Sequence, residues 1–262
     1  MSIEVRALAI ALAIFVSSLV GFTAQWMLPV QAVSDGKGMV GAVAGLVALL
    51  LALVLGLVVW NSYGIYSTQT AESLSLGPII LQLDMALEQL GPQGVSGREL
   101  LKSKVINHRE RFWGDARGAR ISSSYQISRA DSRDMGDFFA TVTPKTDDER
   151  TALAKAKELW AIMIQTQLLM MRQLANPVPP ILIYMVVGWA MLLFAADAFI
   201  STFNGVSFVA AALGALAVSS ALLLIFELSQ PYNGRFHISP NGTDQVIASI
   251  GPTTTHHNEE RL

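Results

Sequence analysis

Histidines and carboxylates carry most proton-transfer and metal chemistry, and the chain holds four histidines and no cysteine. Without cysteine there is no disulfide, no thiolate nucleophile and no Cys-based zinc or iron–sulfur site. His108 sits in the run His108-Arg109-Glu110-Arg111, with no second histidine or carboxylate pair at a metal-ligand spacing, so a solvated or locally paired helix face is expected there. His256-His257 stand beside Asn258, Glu259 and Glu260 in a polar tail, and His237 adjoins Arg235 just after an apolar run, at headgroup level. Asp84 and Glu88 are four apart on one helical face. Two catalytic acids or metal ligands would use that spacing, and so does any solvated stripe. No G-x-S-x-G, Walker loop or H-E-x-x-H occurs. Gly36-Lys37-Gly38-Met39-Val40-Gly41 spells G-x-G-x-x-G, but no strand precedes it and an apolar run follows, so it reads as chance. The triplet Asn241-Gly242-Thr243 is equally short. No cofactor, catalytic group or metal centre is expected, and the chain does not read as an enzyme.

Asp197 is a charge well inside an apolar run, the position that marks an ion path or a proton relay in a membrane protein. It is also one turn before a chain reversal, where it would reach interfacial water. Ser17, Thr23 and Gln25 offer further polar groups at membrane depth, and with Asp197 they form the candidate ion path. By contrast, no polar side chain occurs from Met39 to Val59. A pore lined by that stretch would pass through a hydrophobic constriction that gates by dewetting.

Elements must hold these residues, and composition says which. Charged residues make up 15% of the chain and apolar residues 52%, where soluble domains carry roughly 25% and about 45–50%. A net charge of −2 excludes a strongly basic nucleic-acid binder. The apolar surplus gathers in runs 7–28, 39–60, 178–200 and 205–226, each near the roughly 20 residues a spanning helix needs. Lipid-exposed backbone must satisfy its own hydrogen bonds, and barrel-type alternation is missing. The fold class is therefore all-α membrane protein: four transmembrane helices in two hairpins, with a helical cytoplasmic domain between the second and third.

The first run exceeds the about 7–15 apolar residues of a signal peptide, and no A-x-A site follows, so it is read as a retained span. Residues 29–38 form a turn-rich link, 201–204 a tight reversal, and Pro177, Pro179 and Pro180 stand where the third span begins. The expected divisions are 1–60, the first hairpin; 61–177, the helical domain; 178–228, the second hairpin; and 229–262, the tail. An even number of spans leaves both termini and the middle domain on one side, which holds every Lys and Arg except Lys37. Near the helix ends, Arg6, Arg172 and Arg235 stand against Lys37, which places that side in the cytoplasm.

In the middle segment, 68–90 reads as an amphipathic helix with Leu76, Ile79, Ile80, Leu83, Leu87 and Leu90 near one face. Gly77-Pro78 would kink or interrupt it, and Gly91-Pro92 closes it. A second helix is expected from Ser96, capped with Glu99, to Phe112-Trp113. The pattern is lost over 114–145, where Gly118 and Ser122-Ser123-Ser124 suggest a loop with one short helix. Thr146 and Glu149 form another capping box, opening a helix from Asp147 to about Ala175. Its apolar stripe is Leu153, Trp160, Met163, Ile164 and Met171, interrupted by Gln167. Helix packing within the membrane has candidate small-residue pairs in Gly41 with Gly45 and in Ala210 with Gly214.

After the fourth run comes Phe226-Glu227-Leu228-Ser229-Gln230-Pro231-Tyr232-Asn233-Gly234, then Ile238-Ser239-Pro240. This resembles the signature that ends the bestrophin-like domain family of bacterial membrane proteins. Leu83-Asp84, Leu87, Leu90-Gly91-Pro92, Leu100-Leu101 and Phe112-Trp113 are similar to the same family's L-D…L…Y-G-P…L-L…W stretch, with Leu90 in place of the aromatic. Trp189 and Asn204 fit its third helix and outer turn. The resemblance implies an oligomeric ion channel of the inner membrane that conducts anions, with the lipid bilayer, further copies of itself and inorganic ions as partners. The acidic calcium clasp and phenylalanine-rich neck of bestrophins are not found, so calcium gating is not implied. The alternative is a non-conducting, membrane-anchored scaffold or signalling protein whose helical domain binds a partner. Physically, Glu227, Pro231, Tyr232 and Gly234 suit a helix exit. Pro231 stops the helix, Gly234 permits a turn with positive φ, Tyr232 suits the interface and Arg235 snorkels to headgroups.

Overall fold

The computed structural model describes residues 3–114, 124–175, 178–232 and 234–251. The histidine pair 256–257, Pro177, Asn233 and the Gly118–Ser123 stretch lie outside them. The described residues form helices and no strand: α1 (Ile3–Met27), α2 (Val30–Glu88), a 3-10 turn (Gly91–Gly94), α3 (Val95–Trp113), α4 (Ser124–Thr141), α5 (Asp147–Ala175), α6 (Pro180–Ile200), α7 (Gly205–Leu228) and α8 (Asn241–Ser249). Four helices are long and apolar enough to cross a membrane, and they carry the four apolar runs. The chain divides into two compact units, one of Met1–Ser67 with Asn176–Phe236 and one of Thr68–Ala175 with His237–Leu262.

In the first unit α1 packs on α6 and α7. Ile14, Leu51, Val58, Val186, Ala190 and Leu222 form the centre of its core. Where lipid tails are as apolar as leucine, close van der Waals packing replaces water exclusion as the force that joins such helices. Gly21 shows how close they come: a Cβ there would overlap the Ala195 carbonyl and meet Ala198 Cβ at 2.9 Å. Edge-to-face rings, Phe22 on Phe203 at 5.1 Å and Phe15 on Phe208 at 5.2 Å, fix the end of the bundle near the reversal. Asn204 caps α7 there, its side-chain oxygen accepting the Ser207 N–H at 2.8 Å. The link expected over 29–38 is instead mostly helix. Only Leu28 and Pro29 break the chain, and the Pro29 carbonyl accepts the Val33 N–H at 3.2 Å to start α2. Gly36 and Gly38 cost helix propensity, about 1 kcal/mol each relative to alanine, and the helix runs through them.

α2 also runs on without a break past residue 61. Residues 68–88 are not a separate helix but the continuation of α2, and Pro78 stands within it without ending it. Leu76, Ile80, Leu83, Leu87 and Leu90 of the expected face are buried, and Ile79 is half-buried. Gly91, at φ +60°, provides the reversal after α2. The Ser96–Glu99 box is not made. The 3-10 turn runs directly into α3, which starts at Val95 with Gly94 before it and no side-chain cap. The 114–145 stretch holds a full helix, α4, rather than a short one; Met135 and Phe139, four apart, are buried on one side of it. The Thr146 box is present: Thr146 Oγ1 accepts the Glu149 N–H at 3.1 Å, and Glu149 reaches back to the Lys145 N–H at 2.6 Å. On α5, Gln167 is buried with the stripe rather than interrupting it, and Ile164 is half-buried.

Candidate functional site

The polar groups expected to form an ion path are largely committed to their own helix. Ser17 Oγ donates to the Ile14 carbonyl at 2.6 Å, Ser18 to Phe15 at 2.6 Å, and Thr23 to Val20 at 2.9 Å. Such bonds satisfy hydroxyls at membrane depth without a partner helix. Ser17 is buried, Thr23 exposed and Gln25 half-buried, while Asp197 is exposed near the end of α6. No hydrogen bond joins Asp197 to Ser17, Thr23 or Gln25. Ser219 does bridge helices, donating to the Ala7 carbonyl of α1 at 2.6 Å. Of the small residues, Gly214 lies under the Phe194 ring, where a Cβ would sit at 2.7 Å; Gly41 faces Ile200 at 3.8 Å, and Gly45 faces open space.

The turn after α7 is a closed hydrogen-bonded unit. The Glu227 carboxylate is buried and accepts the Arg235 N–H at 2.7 Å. Gly234 has φ +104°, and a Cβ there would overlap that carboxylate, so both the conformation and the space demand glycine. Ser229 Oγ donates to the Ile225 carbonyl at 2.6 Å and lies 3.3 Å from the Ser62 hydroxyl of α2. Pro231 and Tyr232 are buried, so the tyrosine packs inward instead of standing free at the interface. Arg235 points outward and pairs with Glu4 at 2.8 Å.

In the second unit Asp84 and Glu88 share a cation instead of forming an acid pair. Arg98 binds Asp84 through two nitrogens, at 2.9 and 2.7 Å, and exposed Glu88 at 3.3 Å. Asp84 also accepts the Gly251 N–H at 3.2 Å. The chain from 238 to 251 is then fastened along α3: Trp113 Nε1 to the Ile238 carbonyl at 2.7 Å, Arg109 to Asp244 at 2.7 Å, and Lys102 Nζ to the Ile250 carbonyl at 3.0 Å. The pairing runs antiparallel, 113 with 238 and 102 with 250.

His108 overturns its expected solvated position. It is 3% exposed, packed on Phe112 with ring centroids 4.5 Å apart. Burial pushes its imidazole down to about 3, and the charge of Arg111 acts the same way. Beside it, Asp131 of α4 takes Lys104 at 2.8 Å and Arg111 at 2.5 Å. His108 Nδ1 and Arg111 Nη1 are buried without a hydrogen-bond partner. Among the described residues no three histidines or carboxylates cluster to hold a metal.

The two best-tied places, Asp84 and the Glu227 turn, carry the sequence signatures noted above, and a model of the bestrophin-like domain matches residues 10–243. The chain belongs to the bestrophin-like domain family. No curated protein and no solved structure shows significant similarity to it. Within this bestrophin-like protein the signature residues work structurally: Asp84 anchors Arg98 and the C-terminal segment, and Glu227 closes the turn. Arg98, Lys102, Arg109 and Asp244 escaped sequence reasoning. Their partners lie 14 to 148 residues away in the chain, beyond the reach of local spacing.

Proposed function

We propose that the protein is a homo-oligomeric ion channel of the bacterial inner membrane that conducts small anions, with both termini and the second unit in the cytoplasm. The observation that carries this reading is the outward face of α2 in the first unit. Val43, Leu46, Leu50, Leu53 and Leu57 are all exposed, and Gly45 and Gly56 have nothing within 4 Å of a would-be Cβ. α1, α6 and α7 pack on one another, whereas this face of α2 is left uncovered by the described residues. Several copies placed around an axis through that face would enclose a path of purely apolar walls, wetted or dewetted by small changes in width. Anion selectivity is what the family resemblance implies. Asp197, exposed near the end of α6, is the candidate for the mouth of the path.

A second reading has a specific observation behind it. The same lack of polar groups from Met39 to Val59 would let the copies pack shut, leaving a membrane-anchored scaffold. Vesicles separate the two readings. Purified protein in chloride-loaded liposomes should release chloride faster than empty vesicles, and Asp197→Asn should alter that flux if the acid lies on the path. An intact oligomer without flux supports the scaffold.

A further inference from the structure

We infer that the groove between α1 and α6 is a binding site for one anionic phospholipid, with an acyl chain lying along Ala9 to Val20 and the phosphate on Arg6. The groove belongs to the first unit, measures about 580 Å³ and has no charged residue in its lining. Ala9 and Ala13 of α1 and Ala195 of α6 line it with side chains too small to fill the space between the helices. Leu12 and Leu192 beside them are 61% and 65% exposed, so the groove opens outward to the surrounding lipid and not into the core. Its one hydroxyl, Ser17, donates to the Ile14 carbonyl at 2.6 Å, which leaves no free donor for water or a polar ligand.

Length and charge identify the occupant. At 1.5 Å per residue, Ala9 to Val20 extends about 16 Å along α1. That is the depth of one leaflet in a hydrocarbon core about 30 Å thick. Just past Val20 the two helices meet at Gly21, where a Cβ would overlap the Ala195 carbonyl. A helix with its side chains is about 10–12 Å across and does not enter a cleft between helices joined so closely. A single hydrocarbon chain does. The other end of the groove leads to Arg6, which lies two helical turns before Ala13 and three before Ser17, on the same face of α1. Arg6 is exposed, and among the described residues no ion pair engages it, whereas Arg235 is paired with Glu4. A guanidinium at headgroup level binds phosphate through parallel N–H groups, and basic residues beside the membrane surface draw anionic lipid. In the orientation proposed above, the lipid belongs to the cytoplasmic leaflet.

The probes are dioleoyl phosphatidylglycerol and dioleoyl phosphatidylcholine, which carry the same chains under an anionic and a zwitterionic headgroup. Each is added to delipidated full-length protein in detergent, and bound lipid is counted by native mass spectrometry. Phosphatidylglycerol should bind about tenfold more tightly, the worth of a charge-assisted hydrogen bond. Arg6→Gln should abolish that preference, while Lys37→Gln, at an exposed cation of α2, should leave it intact. Ala13→Leu, which fills the groove, should weaken the binding of both lipids, and Ala9→Leu repeats the test if that variant does not fold. Equal binding of the two lipids by the unaltered protein, or a preference that survives Arg6→Gln, overturns the inference. Lipid binding indifferent to both alanine variants overturns it as well. An oligomer that falls apart in Ala13→Leu with lipid binding unchanged gives the groove to a second copy, which also overturns it. Because the readout is bound lipid, the result is independent of whether the protein conducts.

Discussion

At the scale of single residues, the sharpest constraint is Gly234. Its φ of +104° and the Glu227 carboxylate beside it leave no room for a side chain. Gly234→Ala should cost about 1–3 kcal/mol in backbone strain and displaced packing, seen as a lower Tm in detergent. Glu227→Gln, which keeps an acceptor for the Arg235 N–H, should lose less. His108 gives a prediction in pH. Its folded-state value, about 3, lies below the ordinary 6.5, so the unfolded chain takes up the proton first. Stability from this group is complete above about pH 6.5 and drains as the pH falls toward 3, by about 1.4 kcal/mol per pH unit. His108→Phe should flatten that part of a pH–Tm profile; an unchanged acid slope would show that other groups set it.

At the scale of elements, α3 is the hub of the second unit, holding α4 through Asp131, α2 through Asp84 and the C-terminal segment through Lys102, Arg109 and Trp113. Removing one partner of the Asp84–Arg98 pair strands the other, at a cost of about 3–5 kcal/mol. Asp84→Ala and Arg98→Ala should each destabilise strongly, and the double variant should lose much less than the two losses added. Additive losses in a double-mutant cycle would remove the pair as a unit. What could be read beforehand divides along the same line. The four spans, the Thr146 cap and the exit at Gly234 rest on neighbours within a few residues, and their patterns are local. α2's continuity, α4 and the burial of His108 depend on partners far along the chain. Pro78 and the glycines near residue 36 argued locally for breaks, and the helix overrode them. Asp84 and Glu88 looked alike in sequence; only Arg98 and Gly251, brought in by the fold, separate a buried anchor from an exposed rim.

At the scale of the whole molecule, the helices use their apolar surface unequally. Ser17, Ser18, Thr23 and Ser219 are spent on carbonyls of α1. The hydroxyls of α1 therefore serve its own backbone, and Ser219 its contact with α7, while α2 is left with an apolar face that stays exposed among the described residues. Membership of the bestrophin-like domain family and this uncovered face of α2 together support the proposed assembly of copies around α2. Conduction along that axis is the central claim. The measurement that tests it most directly is single-channel recording from the purified oligomer in chloride, beside Leu53→Ser, which puts a hydroxyl on the exposed face. The account predicts unitary chloride currents that grow in the serine variant as the apolar constriction wets. An intact oligomer silent in both forms, or a current indifferent to Leu53→Ser, would contradict it.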